Sequence, residues 1–502
     1  MSQLSLKNLQ NGSDIRGVAF ESVEDEVVTL TPHVAYCIGV AFAEEVAKMT
    51  GRKTDALTIA VGRDCRITGP DLMNAIAAGA HSAGAQILDC GLASTPAMFM
   101  SCVFPETDCD GACMVTASHL PFNRNGFKFF TKKGGFEKAD ITSVLTRTEQ
   151  LLGATSQPTD LLSLYAAKLC DMIKEGVNAD DYDHPLAGLK IVVDASNGNG
   201  GFFAFKVLAP LGADISGSQY LEPDGHFPNH SPNPEETKAM RAICDATLNA
   251  KANLGLIFDT DVDRMSAVFS DGTPVSRDAC IALIASIISD GHAGATIVTD
   301  SVTSDRLTDF LENRLKLKHY PYMRGYKNVI NKCIELNEQG IDCPLAMETS
   351  GHGCLKENHY LDDGAYLAVK IIIALAKAHR EGKRMASLLD GFEMQFSARE
   401  VRFNILDVDF SDYGREVIES FRARAEKSGH DLPASHEGIR VRYEAGSLGK
   451  QFTGGWIHLR NSLHDPVMVL NMEGKTETDL YLLTLEMKKM LEDYWKLDTS
   501  AL

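Results

Sequence analysis

Two short stretches of this 502-residue chain carry side chains whose types and spacing could do chemistry. The first is Val115-Thr116-Ala117-Ser118-His119-Leu120-Pro121, followed by Asn123, Asn125-Gly126 and Lys128. The apolar run from Ala112 to Val115 reads as a buried strand, and Pro121 with Asn125-Gly126 turns the chain. Ser118 is therefore expected in a loop at a strand's end, where side chains are free to meet a ligand. A serine hydroxyl is a weak nucleophile until a neighbour takes its proton or stabilises its product, and His119 and Lys128 lie close in sequence. The second stretch is the apolar run Leu254 to Phe258 followed by Asp259-Thr260-Asp261-Val262-Asp263-Arg264. In an extended chain side chains alternate, so Asp259, Asp261 and Asp263 are expected on one face. Three carboxylates on one face repel unless a cation sits among them, and hard oxygen ligands suit Mg²⁺, which prefers to take further oxygens from a phosphate. A serine and a magnesium loop together read as phosphoryl transfer through a phosphoserine. Ser118 is then a ligand to the metal beside the three aspartates.

These two stretches resemble the signature loops of the alpha-D-phosphohexomutase superfamily, of phosphomannomutase and phosphoglucomutase type. Its active-site loop reads T-A-S-H-N-P and its metal loop D-x-D-x-D-R; Leu120 here replaces the asparagine. Further loops resemble the family in the same order along the chain. Gly12-Ser13-Asp14-Ile15-Arg16-Gly17 matches D-I-R-G, which implies that Arg16 reaches the active centre. Pro223-Asp224-Gly225-His226-Phe227-Pro228 and Ser231-Pro232-Asn233-Pro234 match a proline-rich loop, read as bracing the metal loop. Met347-Glu348-Thr349-Ser350-Gly351-His352 resembles the sugar loop E-x-S-G-H. It is expected as an exposed loop in which Glu348 and Ser350 meet vicinal hydroxyls and His352 moves a proton. Thr349 is neither the methionine of hexose enzymes nor the glutamine of the glucosamine branch. Arg460-Asn461-Ser462-Leu463-His464-Asp465-Pro466 resembles the phosphate loop R-x-S-N-T-x-P, implying a phosphate held by Arg460 and Ser462. Leu463, His464 and Asn471 replace donors that are usual there, which should cost on the order of 1.5–3 kcal/mol of phosphate binding per lost contact. Tyr326, also assigned to the substrate, stands where many bacterial relatives have histidine.

The elements that must position these loops are short apolar runs closed by polar turns and followed by helical patterns. Leu57 to Val61, Leu189 to Val193 and Ala295 to Thr299 are examples, and this is the grammar of parallel sheets. Three such openings imply three related doubly wound α/β domains. Beyond about residue 395 alternating strands mix with helices, as in an α+β domain. The resemblance implies the same architecture around a central cleft, with domains expected at 1–178, 179–275, 276–393 and 394–502. Asn197-Gly198-Asn199-Gly200-Gly201 lacks the dinucleotide spacing and reads as a tight turn.

A net charge of -19 argues against nucleic-acid or anionic-membrane partners. Arg16, His119, Lys128, Arg264 and Arg460 would gather an anionic sugar phosphate locally. The twelve cysteines show no C-x-x-C pair and read as reduced thiols in a cytoplasmic protein, expected as a monomer or dimer. Ala365 to Ala378 is too short and too charged to span a bilayer, Met1 to Gln10 shows no signal pattern, and Ser500-Ala501-Leu502 lacks the basic residue of a peroxisomal address. The expected activity is interconversion of hexose 1-phosphate and hexose 6-phosphate, of mannose and/or glucose. Its catalytic residues are Ser118, Lys128, His352, Arg16, His119 and Arg264, its cofactor Mg²⁺, and its activator and intermediate hexose 1,6-bisphosphate. Two alternatives stand beside it: a phosphatase of the haloacid dehalogenase type, which also places D-x-D after a strand, and a weakened relative that binds sugar phosphates as a regulator.

Overall fold

The computed structural model describes residues 6–21, 26–149, 157–407, 409–462 and 465–502; Leu463 and His464 lie outside them. The chain forms two compact units, Met1–Gly291 with Pro344–Leu389, and His292–Cys343 with Asp390–Leu502.

In the first unit the strand Thr58–Arg63 runs parallel to Gln86–Leu92 on one side and to Gly111–Val115 on the other. Arg124–Thr131 then returns antiparallel to Gly111–Val115, and Asp14–Val18 pairs antiparallel beyond it. The helix Pro32–Thr50 covers this sheet. Thr31 Oγ1 accepts from Val34 N to start it, and Gly51 ends it at φ +70°. Phe42, Phe129 and Phe136 fill the space between helix and sheet. The strand register has a functional consequence. Lys128 lies opposite Met114 and Arg16 opposite Gly126, so both cations are fixed on strands flanking the serine loop.

A second sheet pairs Ile191–Asp194 parallel with Leu254–Phe258, which runs antiparallel to Met265–Phe269. Met265–Phe269 continues into a hairpin, with Pro274–Val275 returning antiparallel on it. Leu345–Met347, Gly353–Leu355 and Leu361–Asp362 form an antiparallel meander. It leads into the helix Gly364–Arg380, capped by the Asp363 carboxylate.

In the second unit Thr296–Asp300 pairs parallel with Lys318–Tyr322, and the helix Tyr326–Glu338 follows. A four-stranded antiparallel sheet is ordered Ser397–Asn404, Val467–Gly474, Gly455–Asn461, Ile439–Tyr443. Helices Phe410–Lys427 and Glu477–Leu491 pack Val417, Phe421, Leu483 and Met487 into one core with it. Alternation along Gly455–Asn461 puts Trp456, His458 and Arg460 together on one sheet face. Three α/β domains followed by a smaller α+β domain is therefore the fold. Among the described residues no helix is long and apolar enough to cross a membrane.

Candidate active site

Ser118 sits in the loop after Gly111–Val115, almost fully buried, with φ +54°. Its Oγ accepts from Arg264 Nη2 at 3.2 Å and donates to Asp259 Oδ2 at 3.4 Å. His119 Nδ1 is 3.4 Å from the same oxygen and accepts from Arg264 Nη2. The sequence neighbours Ser118 and His119 thus meet residues from a loop 141 to 146 positions away.

That loop does not extend as the alternation argument expected. Residues 260–263 form a run of bends with Val262 at φ +66°, and the three carboxylates converge because the chain coils, not because it is a strand. One oxygen from each of Asp259, Asp261 and Asp263 lies within 4.8 Å of the others, all buried. Burial, and then the neighbouring Asp263 and Asp261, hold the Asp259 carboxyl well above the usual carboxylate range. Burial would also raise Asp263, but Lys128, His352 and Arg264 outweigh it and hold that carboxyl well below the range. Asp261 Oδ1 accepts no hydrogen bond among the described residues. An acidic cluster with an unused inward oxygen fits a hard divalent cation, and Asp259, Asp261 and Asp263 are the residues that would hold it.

Cations close the other side. Lys128 Nζ is 2.6 Å from Asp263 Oδ2 and 3.4 Å from Asp261 Oδ2. Arg264 Nε is 3.5 Å from Asp259 Oδ2 and 3.2 Å from His352 Nε2. His352 reaches Asp263 Oδ1 and Glu348 Oε2 at 3.5 Å each, and its Nδ1 is 3.0 Å from Ser350 Oγ. Burial and Arg264 oppose a charge on His352, but Asp263 and Glu348 prevail and push its pKa up to about 10. The Arg264 charge and then burial drive His119 the other way, down to about 2. Arg16 Nη1 donates to Ala117 O at 3.2 Å, its Nη2 to Asp14 at 2.8 Å. The loop from Glu348 to Ser350 was expected to be exposed. It is buried, because a turn closed by Glu348 N to His352 O folds it onto Arg264.

Tyr326, Arg460 and Ser462 belong to the second unit. Tyr326 opens the helix Tyr326–Glu338, and Ser462 Oγ accepts from Asp465 N at 3.3 Å. Burial and then the Arg324 charge lower the pKa of the Arg460 guanidinium, while Glu437, Glu400 and Asp300 support its charge. Arg460 Nε has no acceptor among the described residues. Leu463 and His464, two of the three altered positions of this loop, fall outside them.

Three alpha/beta/alpha domain models of phosphoglucomutase/phosphomannomutase match the chain: domain I over residues 7–151, domain II over 167–272 and domain III over 276–394. A phosphomannomutase/phosphoglucomutase of Pseudomonas syringae pv. tomato is 30% identical over 492 residues, covering 96% of this chain and 95% of its own. The chain belongs to the phosphoglucomutase/phosphomannomutase family. It is accordingly a mutase of the phosphotransferase type, and Ser118, the aspartate triad and the Glu348 loop fall in domains I, II and III of the family in turn. A phosphoglucomutase of Neisseria gonorrhoeae is 28% identical over 493 residues, 95% of each chain. A crystal structure of a family protein from Burkholderia thailandensis superposes with a TM-score of 0.76 at 26% identity, covering 98% of both chains.

Within this mutase one participant carried no signal in the sequence, and another was legible only as a turn. Thr95 Oγ1 donates to Asp261 Oδ2 at 2.6 Å and Thr95 N to Asp261 O, fixing the middle aspartate from 166 residues away. The Asn197–Gly201 turn is tight, as expected, and it touches the aspartate loop. A Cβ on Gly198 would lie 2.7 Å from Thr260 Cα, so only glycine permits this approach.

Proposed function

We propose that this mutase interconverts hexose 1-phosphate and hexose 6-phosphate through a phosphoserine at Ser118 and a hexose 1,6-bisphosphate intermediate. The observation that carries this reading is the position of Ser118 Oγ, within 3.4 Å of both an arginine donor and a carboxylate of the metal-fitting triad. In the reading, the sugar hydroxyl attacks the phosphorus of phosphoserine, the bond from phosphorus to Ser118 Oγ breaks, and the hydroxyl's proton passes to a protein base. Lys128 and His352 are the groups assigned to move that proton, with Arg16 assigned to the same centre; His352, whose pKa is pushed up to about 10, takes it only in its neutral form. Arg264 and His119 steady the departing serine oxygen. Asp259, Asp261 and Asp263, with an oxygen on Ser118, are the groups that would hold a Mg²⁺ ion, which would supply positive charge to the transferring phosphoryl group. Glu348 and Ser350 are assigned to the sugar hydroxyls, Arg460 and Ser462 to the distal phosphate, and Tyr326 to the substrate. The bisphosphate then reorients and returns its other phosphoryl group to Ser118, leaving the isomeric monophosphate.

Family membership favours this chemistry over a haloacid-dehalogenase-type phosphatase, which would have no use for Ser118. The test is a pair of turnover assays with Mg²⁺ and a trace of hexose bisphosphate, one on glucose 1-phosphate and one on mannose 1-phosphate. Formation of the 6-phosphate in either, abolished by Ser118→Ala, is the expected result. Turnover that survives Ser118→Ala would remove the phosphoserine from the reading, and binding without turnover in either would leave the hexose assignment unsupported.

A further inference from the structure

Behind the serine loop lies an arginine that none of the assignments above uses. We propose that Arg66 is a positioning residue for phosphoryl transfer, fixing the main chain of Ser118 so that its hydroxyl faces the aspartate loop. The inference rests on Ser118 being the phosphoryl carrier.

Arg66 is buried to 1% exposure, and its Nε is 3.3 Å from Asp64 Oδ2. Its guanidinium grips four main-chain carbonyls of the loop. Nη1 donates to Pro121 O at 2.9 Å and Arg124 O at 3.1 Å, and Nη2 to Leu120 O at 2.7 Å and to Ser118 O. Asp64 completes the grip from the other end. It accepts from Arg66 N at 3.0 Å and from Thr116 Oγ1 at 2.7 Å, and the Thr116 hydroxyl oxygen accepts from Ser118 N at 2.8 Å. Both polar groups of the Ser118 main chain are thus tied to one arginine–aspartate pair. Ser118 needs this, because φ +54° is a conformation that L residues hold only when their surroundings over-determine it. A planar fork with five donors can serve four acceptors at once; a lysine, with the same charge, cannot.

The proline-rich turn of Pro223–Pro228 closes over this pair. The Phe227 ring centroid is 5.5 Å from the guanidinium carbon. A Cβ on Gly225 would come within 3.0 Å of Ile67 N and 3.1 Å of Arg66 Cα. The turn that the sequence suggested braces the metal loop therefore bears directly on the arginine behind Ser118. It connects to residues 259–263 through the Asn197–Gly201 turn, by way of Asp224 N to Asn197 O and Asn199 N to Thr260 O.

The test uses the full-length enzyme with Arg66→Met, Arg66→Lys and Gly225→Ala, the last displacing the Arg66 main chain while keeping its side chain. Each is measured for kcat and KM on hexose 1-phosphate, and for amide hydrogen exchange over 116–126. Expected for both Arg66 variants is a kcat lower by about 100-fold, the order that a small misplacement of a reacting group costs, with KM within about threefold. Exchange over 116–126 should accelerate while the strands Thr58–Arg63 and Gly111–Val115 stay protected, and Gly225→Ala should give a smaller change of the same sign. An Arg66 variant whose kcat per folded molecule stays within threefold of the parent overturns the proposal, as does lysine restoring full rate. Should the Arg66 variants fail to fold, unchanged kcat and exchange in Gly225→Ala overturn it equally. If the parent enzyme turns over no hexose phosphate, the mutase reading fails separately, and loop exchange alone then decides whether Arg66 fixes Ser118.

Discussion

Around Ser118, Lys128 and Arg264 each have a carboxylate within 3.5 Å, and the acids Asp259, Asp261, Asp263 and Glu348 are interleaved among them. Around Arg460 the arrangement is reversed. A buried guanidinium lies near the charge of a second arginine, Arg324, and one of its donors is left without an acceptor among the described residues. The difference between the two regions is one of what each offers. The acid cluster has an unused oxygen that suits a cation, and the guanidinium an unused donor that suits an anion. A metal-assisted transfer centre and a phosphate anchor would differ in that sense, and each can be disturbed without the other.

The largest effect should come from the acid cluster. Asp261→Asn removes one of the three buried carboxylates that fit a metal ion and should lower kcat by more than the roughly 10–100-fold typical of partners outside a ligand set. Without Mg²⁺ the same variant should unfold at a temperature equal to or above the parent's, since one like charge is gone. The Mg²⁺-dependent rise in Tm should shrink. Thermal scans with Mg²⁺ and with chelator, beside steady-state kinetics, check both halves. A parent enzyme whose Tm ignores Mg²⁺ would break the contrast at its stronger end.

Next comes the anchor. Arg460→Ala should raise KM for the hexose phosphate by about 10- to 150-fold, equivalent to about 1.5–3 kcal/mol of charge-assisted bonding, while kcat at saturation changes less. A loss confined to kcat would show that Arg460 serves the chemistry rather than the binding.

The smallest effect separates the regions by pH. His319, held between the hydroxyls of Thr299 and Thr308, and His458, bonded to Glu437 O, are each pushed down to about 3 by burial and then by nearby charges. An unfolded histidine titrates near 6.5, so below that pH the unfolded chain binds protons that the folded one refuses. The second unit should therefore lose about 1.4 kcal/mol per histidine for each pH unit from about 6.5 toward 3. In the first unit His119 is shifted the same way as these histidines, but Asp363 is shifted in the opposite sense and partly offsets it. Burial pushes Asp363 up to about 6, so its folded form takes a proton first and stability rises as pH falls from about 6 toward 4. Amide exchange at pH 7 and pH 5.5, after correction for intrinsic rates, should show protection falling selectively in the strands of 397–474. Equal loss in both units would blunt the distinction.

Much of the site was legible because its chemistry is carried by side chains in short local runs. The serine loop, the aspartate run, the Glu348 loop and the Arg460 strand could each be read as they stand. The convergence of Asp259, Asp261 and Asp263 was anticipated for the wrong reason, since it comes from a coiled loop with Val262 in the left-handed region rather than from strand alternation. What escaped was whatever acts through the main chain or across distance. Arg66 serves carbonyl oxygens, which every residue has, so its role left no pattern in Asp64-Cys65-Arg66. Thr95 and Asp261 stand 166 positions apart and meet only once the chain between them has folded. The burial of Glu348 and Ser350 likewise depends on the packing of the loop against Arg264, which no local polarity reveals.

The central claim is that the phosphoryl group passes through Ser118. Its most direct test is to load the enzyme from labelled hexose 1,6-bisphosphate, locate the label by peptide mapping, and chase with unlabelled hexose 1-phosphate. The account requires the label on the peptide containing Ser118 and its transfer to sugar at a rate no slower than turnover. Label on another residue, or a phosphorylated Ser118 that persists while turnover proceeds, would contradict it.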